Sequence, residues 1–166
     1  MKKTILSFII LTLCSTLTHS QDNSEKVLTD KEALETVFWI RDNPLKPMDS
    51  IFVEKYGDVL DWFVSSQSEL KISIKCMGEF IDKYPDTKAY KYSDDIMLLY
   101  TLGQFAYTIE NKSGNNSIGI CYYSTKLVLA YYEKLVSISK KNKNRLLDKY
   151  LRLENENKLE TYLNKK

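Results

Sequence analysis

The residues able to do chemistry in this chain are tyrosines, carboxylates and a few cysteines. Twelve tyrosines are present, and Tyr100, Tyr107, Tyr122, Tyr123, Tyr131 and Tyr132 form the candidate ligand or partner surface. A tyrosine ring is a flat apolar plate with a polar tip, suited to stacking on a sugar or to a protein interface. Tyr122-Tyr123 and Tyr131-Tyr132 are adjacent pairs, and neighbouring side chains on a helix diverge by about 100°. At most one of each pair is therefore expected to face a core squarely. Packing in the core and at its boundary is the simpler use of these rings, and the stronger expectation.

The carboxylates offer less. Glu54, Asp58 and Asp61 recur at i, i+4 and i+7, a stripe that suits a cation or a basic partner. Like charges at that spacing repel mildly, and a solvated outer face explains them more simply. Asp94 and Asp95 fall in the first turn of a helix, where the dipole favours negative charge. Adjacent helical residues point apart, which argues against an acid/base pair.

The N-terminus removes most of the remaining catalytic kit. Lys2 and Lys3 precede an apolar run from Ile5 to Leu13, and Thr18 and Ser20 stand three and one places before Gln21. That is the pattern of a signal peptide, residues 1–20, cleaved between Ser20 and Gln21. A lipoprotein anchored through Cys14 is the weaker reading, because Leu13 is too large for the position before a lipid-bearing cysteine. The only histidine, His19, leaves with the signal, and Lys2 and Lys3 carry away the whole formal charge of +2.

A chain without histidine has no Ser-His-Asp triad, no Cys-His pair and no His-ligated zinc or haem. It also lacks the GxxxxGK[ST] and GxGxxG loops that cradle nucleotide phosphates. No catalytic residue, metal ligand or cofactor is assigned, and the expectation is a non-enzymatic protein.

Cys76 and Cys121 remain after cleavage. In an oxidising compartment they can pair, closing a loop of about 46 residues for roughly 4 kcal/mol in the chain-entropy model. Both also lie in apolar helical stretches, where free thiols pack as small hydrophobes. The spacing leaves both readings open, with a slight lean toward free thiols.

The elements that must position these residues are helices. Thr29-Asp30-Lys31-Glu32 is a capping box followed by Leu34, Val37, Phe38 and Arg41 at helical spacing, and Asn43-Pro44 stops that helix. A second helix runs from Asp49-Ser50 to about Ser65, with Phe52, Tyr56, Val59, Leu60 and Phe63 on its inner face. Leu70, Ile72 and Ile74 alternate like a brief extended segment, and a short helix spans about Lys75 to Tyr84.

The next helix, about 94–111 and cappable by Ser93, has no charged residue from Ile96 to Ile109 and is apolar on every side. Such a helix is usually wrapped by its neighbours, and Gly103 is placed to let one approach closely. A turn over Lys112–Ser117 leads to a long helix from Ile118 to about Lys140. Leu146, Leu147, Tyr150 and Leu151 mark a further helix, and Leu159, Tyr162 and Leu163 a last turn or two. The fold class is all-α: residues 21–166 form a single-domain bundle of five to seven helices around the central apolar helix.

Charge is unevenly spread. Residues 126–166 hold eleven basic and five acidic residues, with Lys140, Lys141, Lys143 and Arg145 clustered where the dipole of the preceding helix favours cations. Attraction between the two ends of the folded chain explains this most simply, and anionic lipid or polysaccharide is the partner such a patch would otherwise meet. Nucleic acid is not an expected partner for an exported protein. No stretch of the mature chain is long and apolar enough to span a membrane.

The layout resembles uncharacterised small exported α-helical proteins of Bacteroidota. The similar elements are a signal ending Ser-Gln, an early Trp39-Ile40-Arg41-Asp42-Asn43-Pro44, a central Leu60-Asp61-Trp62-Phe63-Val64-Ser65-Ser66 and the charge-free helix through Gly103. The segments Lys143-Asn144-Arg145-Leu146-Leu147-Asp148-Lys149-Tyr150 and Leu159-Glu160-Thr161-Tyr162-Leu163 also fit. Asp49-Ser50-Ile51 is similar to the Asp-Ser/Thr-apolar site that receives O-glycans on exported proteins of that group, although it doubles as a helix cap. The resemblance implies export, a helical fold and a Gram-negative host, and transfers no functional residue. Together these readings predict a periplasmic or secreted module that binds another protein of the cell envelope. The alternative is a carrier or sensor of a glycan or small apolar ligand with a tyrosine-lined pocket.

Overall fold

The computed structural model describes residues 27–66, 79, 90–111 and 117–165. These contain six α-helices and one 3-10 turn, and no strand. Helix α1 (Asp30–Asp42) begins as its capping box requires: the Thr29 hydroxyl accepts the Glu32 N–H at 3.2 Å, and Glu32 Oε2 accepts the Thr29 N–H at 2.9 Å. Two of the orphan donors of the first turn are thereby satisfied. Ala33, Val37 and Ile40 form its buried stripe.

Helix α2 (Ser50–Ser65) is capped by Asp49, whose carboxylate accepts the Ile51 N–H at 3.0 Å. Its buried face is Phe52, Val59 and Trp62, rotated from the expected one. Trp62 turns inward because its indole N–H finds the Asp30 carboxylate of α1 at 3.1 Å. Tyr56, Leu60 and Phe63 are half-buried, and the Phe63 ring stacks on Phe105 at 4.2 Å.

Helix α3 (Ser93–Asn111) is the centre of the bundle. Ten of its nineteen residues are buried, Leu99, Tyr100, Leu102 and Phe105 among them. Packed along it is α4 (Ser117–Ile138), its most extensive contact. Gly103 sets their separation, since a Cβ there would lie 2.8 Å from the Ser124 Cα. The end of α4 passes through a 3-10 turn (Lys140–Asn142) into α5 (Arg145–Asn155), which Asn144 caps by accepting the Leu146 and Leu147 N–H groups. A short α6 (Leu159–Asn164) buries Leu159 and Leu163. The fold is an all-α bundle in a single domain.

One local expectation needs correction. The Ser93 hydroxyl does not cap α3 from outside: Ser93 is the first residue of the helix, and its Oγ donates to the Tyr90 carbonyl at 2.6 Å. Asp94 and Asp95 both stand in the first turn as expected, but they differ in burial: Asp95 is 1% exposed, whereas Asp94 is exposed. The alternating Leu70–Ile74 segment, the turn over 112–116 and the cleavage site Ser20-Gln21 with Cys14 lie outside the described residues. So does the helix expected near Lys75–Tyr84, except for Glu79, which is helical.

Candidate functional site

A solvent-open groove of about 530 Å³ lies where α1, α3 and α4 meet. Helix α4 supplies one wall at strict helical spacing, with Gly119, Tyr122, Tyr123, Lys126, Leu127 and Ala130 on one stripe. Phe38 and Arg41 from α1 face it, as do Tyr107 and Glu110 from α3. Each contributing pair is three residues apart, the separation that puts two side chains on one helical face.

The groove is aromatic in its walls and balanced in its charge. The Tyr107 and Tyr123 rings meet edge to face with centroids 5.7 Å apart. The Arg41 guanidinium lies 4.6 Å from the centroid of the Phe38 ring and grips Asp42 with two bonds, of 3.0 and 2.6 Å. That bidentate pairing raises Arg41 and holds the Asp42 carboxyl below its ordinary range. Asp42 also reaches Lys134 at 3.1 Å. On the other flank Glu154 receives Lys126 at 3.2 Å and the Tyr122 hydroxyl at 3.0 Å. Burial, and then a hydrogen bond to Glu110, push the Tyr123 hydroxyl well above the ordinary phenol range. Arg41 and Lys126 thus each have a carboxylate of their own, as do the Tyr122 and Tyr123 hydroxyls, and what the groove offers to a visitor is ring surface.

The six candidate tyrosines divide. Tyr107, Tyr122 and Tyr123 line the groove. Tyr100, Tyr131 and Tyr132 are 1%, 0% and 0% exposed and belong to the core. The expectation that only one of each adjacent pair could face a core fails for Tyr131-Tyr132. The reason is that α4 has a neighbour on both sides. Tyr131 reaches α3, where its hydroxyl donates to Asp95 at 3.2 Å, and Tyr132 reaches α5, donating to Asp148 at 2.7 Å. Burial is the first cause of the raised Tyr132 hydroxyl, which moves up to about 12.

Asp95, placed by the sequence in the first turn beside Asp94, has a buried structural role that its spacing did not reveal. Its second oxygen accepts the Met48 N–H at 2.9 Å, tying the α1–α2 loop to α3, and burial pushes its carboxyl upward. Phe38, Arg41, Glu110 and Lys126 were likewise not singled out for the site. No local signal marks them, because only the crossing of α1 over α3 and α4 brings them together.

The Glu54, Asp58 and Asp61 stripe faces outward as a solvated surface would. Among the described residues no group of three or more His, Cys, Asp or Glu side chains is placed to hold a metal. None of the described helices is long and apolar enough to cross a membrane. Cys121, 3% exposed, is disulfide-bonded; Cys76 lies outside the described residues. No family model, curated protein or solved structure matches the chain.

Proposed function

We propose that this is an exported, non-enzymatic binding protein, periplasmic or secreted, that engages another protein of the cell envelope through the α1–α3–α4 groove. One observation carries the reading: Tyr107, Tyr122 and Tyr123 are held half-buried in an open groove with Phe38, instead of being packed away like the other three candidates. Rigid aromatic residues of this kind present a large contact area at low entropic cost, and they dominate the energetics of protein interfaces. An open groove also suits a protruding turn or side chain better than a small molecule that must be enclosed. A disulfide at Cys121 supports export, since thiols stay reduced in the cytosol, and Cys76 is its proposed partner. The Ser20-Gln21 junction is the proposed cleavage site, and Bacteroidota are the proposed hosts.

The second reading, a glycan or small-ligand carrier, is favoured by the groove volume, which falls within the range of about 300–1,000 Å³ usual for ligand sites. Native mass spectrometry of the protein isolated from the envelope of its host separates the two. The expected result is a complex with one further protein at fixed stoichiometry, lost in a Tyr107→Ser/Tyr123→Ser variant that still folds. A small adduct released on denaturation would establish the carrier instead. A complex that survives the double substitution would remove the groove from the interface.

A further inference from the structure

The loop from α4 to α5 and the first residue of α5 carry Lys140, Lys141, Lys143 and Arg145, four exposed cations within six residues. Among the described residues none of them makes an ion pair, whereas Arg41, Lys126, Lys134 and Lys149 each do. The acidic residue nearest in sequence, Asp148, is hydrogen-bonded by Tyr132.

The loop is nonetheless held firmly. Ser139 caps its 3-10 turn through the Lys141 N–H. Asn142, 3% exposed, sends its amide to the Leu135 carbonyl at 2.7 Å. The Asn144 N–H donates to the buried Tyr132 hydroxyl at 2.7 Å. The asparagines of the loop are thus tied inward, and the cations between and beside them are left in solvent. Ile138, the last residue of α4, stands at the start of this loop and is 67% exposed.

Fixing four like charges close together costs free energy unless an anionic partner offsets it. An exposed branched apolar residue beside them narrows the choice of partner. A soluble polyanion would neutralise the cations and leave Ile138 in water. An anionic bilayer takes both, with the cations at the headgroups and the apolar side chain at the boundary with the acyl chains. We propose that this loop docks the protein reversibly on an anionic phospholipid surface, as a peripheral contact independent of the groove.

Flotation with phosphatidylcholine vesicles containing increasing phosphatidylglycerol tests this, at low and at physiological salt. Partitioning is expected to rise with anionic lipid and fall with salt. Each cation contributes about five-fold, so Lys143→Ser lowers partitioning by about that factor and the quadruple serine variant abolishes it with an unchanged urea midpoint. Replacing the three lysines by arginine preserves binding. Ile138→Ser weakens binding to vesicles while leaving binding to dextran sulfate unaltered. All variants are isolated as the exported form that begins at Gln21, so the apolar run Ile5–Leu13 is absent from every sample. Partitioning that does not depend on phosphatidylglycerol, or that survives the quadruple substitution, overturns the proposal. Equal vesicle binding by Ile138→Ser, with tighter binding to dextran sulfate than to lipid, overturns it in favour of a polysaccharide.

Discussion

Helix α4 carries two adjacent tyrosine pairs nine residues apart, and they meet opposite fates. Tyr131 and Tyr132 are wholly buried, while Tyr122 and Tyr123 remain half-exposed in the groove. Within each pair the directions correspond: Tyr123 and Tyr131 reach toward α3, and Tyr122 and Tyr132 toward α5. The difference lies in what stands beyond them. At the level of Tyr131 and Tyr132, the α1–α2 loop is latched onto Asp95, and the start of α5 is threaded back onto the Tyr132 hydroxyl. At the level of Tyr122 and Tyr123 the helices leave an open cleft. Ring burial on this helix is therefore decided by loops and helix starts from elsewhere in the chain, and where these stop the same residue type becomes available for binding.

Truncation should expose the difference most strongly. Tyr131→Ala removes a fully buried ring and is expected to cost about 3–5 kcal/mol. Tyr123→Ala, on the groove wall, should cost under about 2 kcal/mol. Urea unfolding of the two variants measures both, and similar losses would mean that the groove is core in solution. Next in size is Gly103→Ala, which forces α3 from α4 where a Cβ would meet the Ser124 Cα at 2.8 Å. Overpacking of backbone on backbone is expected to cost about 1–3 kcal/mol, read as a lower urea midpoint with an unchanged slope.

A gentler change probes the latch alone. Tyr132→Phe keeps the ring but leaves the Asn144 N–H and the Asp148 carboxylate without their shared hydroxyl. The expected loss is about 1–2 kcal/mol, with hydrogen exchange accelerating first in residues 144–148. Tyr122→Phe, which deletes the hydroxyl bonded to Glu154 in the half-open groove, should cost less than about 1 kcal/mol.

The smallest effect is a slope against pH. Burial raises the Asp95 carboxyl above its ordinary value, and its bonds to Met48 and Tyr131 only partly oppose this. A group raised in the folded state binds its proton more tightly there than in the unfolded chain. Its contribution to stability is fully present below the ordinary aspartate pKa and is lost as pH rises through the raised folded value. Asp42 and Glu156 are lowered and act in the opposite sense, losing stability as pH falls through their folded values. The Asp95 contribution is therefore read as a difference. Above about pH 4, the wild-type chain should lose stability relative to Asp95→Asn as pH increases, and parallel profiles would show that Asp95 is not desolvated.

Much of the bundle is legible along the chain because helix formation is local. The capping box at Thr29, the cap at Asp49 and the stop at Asn43-Pro44 each depend on residues within four positions. The lack of charge between Ile96 and Ile109 marks α3 as the central helix, although Met97, Leu98, Thr101 and Thr108 stay half-buried and it is not enclosed on every side, and Gly103 is visible as the one residue on it without a side chain. The site was only half legible. The six candidate tyrosines could not be sorted, since three of them are core and three line the groove, and Asp95 looked like its exposed neighbour Asp94.

By itself the sequence determined most of the described helices, the caps at Thr29 and Asp49 and the place of the tightest crossing, because backbone hydrogen bonding and side-chain periodicity act over one or two turns. Only the tertiary structure decided which tyrosines are core and which line a groove, and where Arg41, Glu110 and Lys126 meet. Burial depends on what lies across a helix face, and that comes from residues tens of positions away.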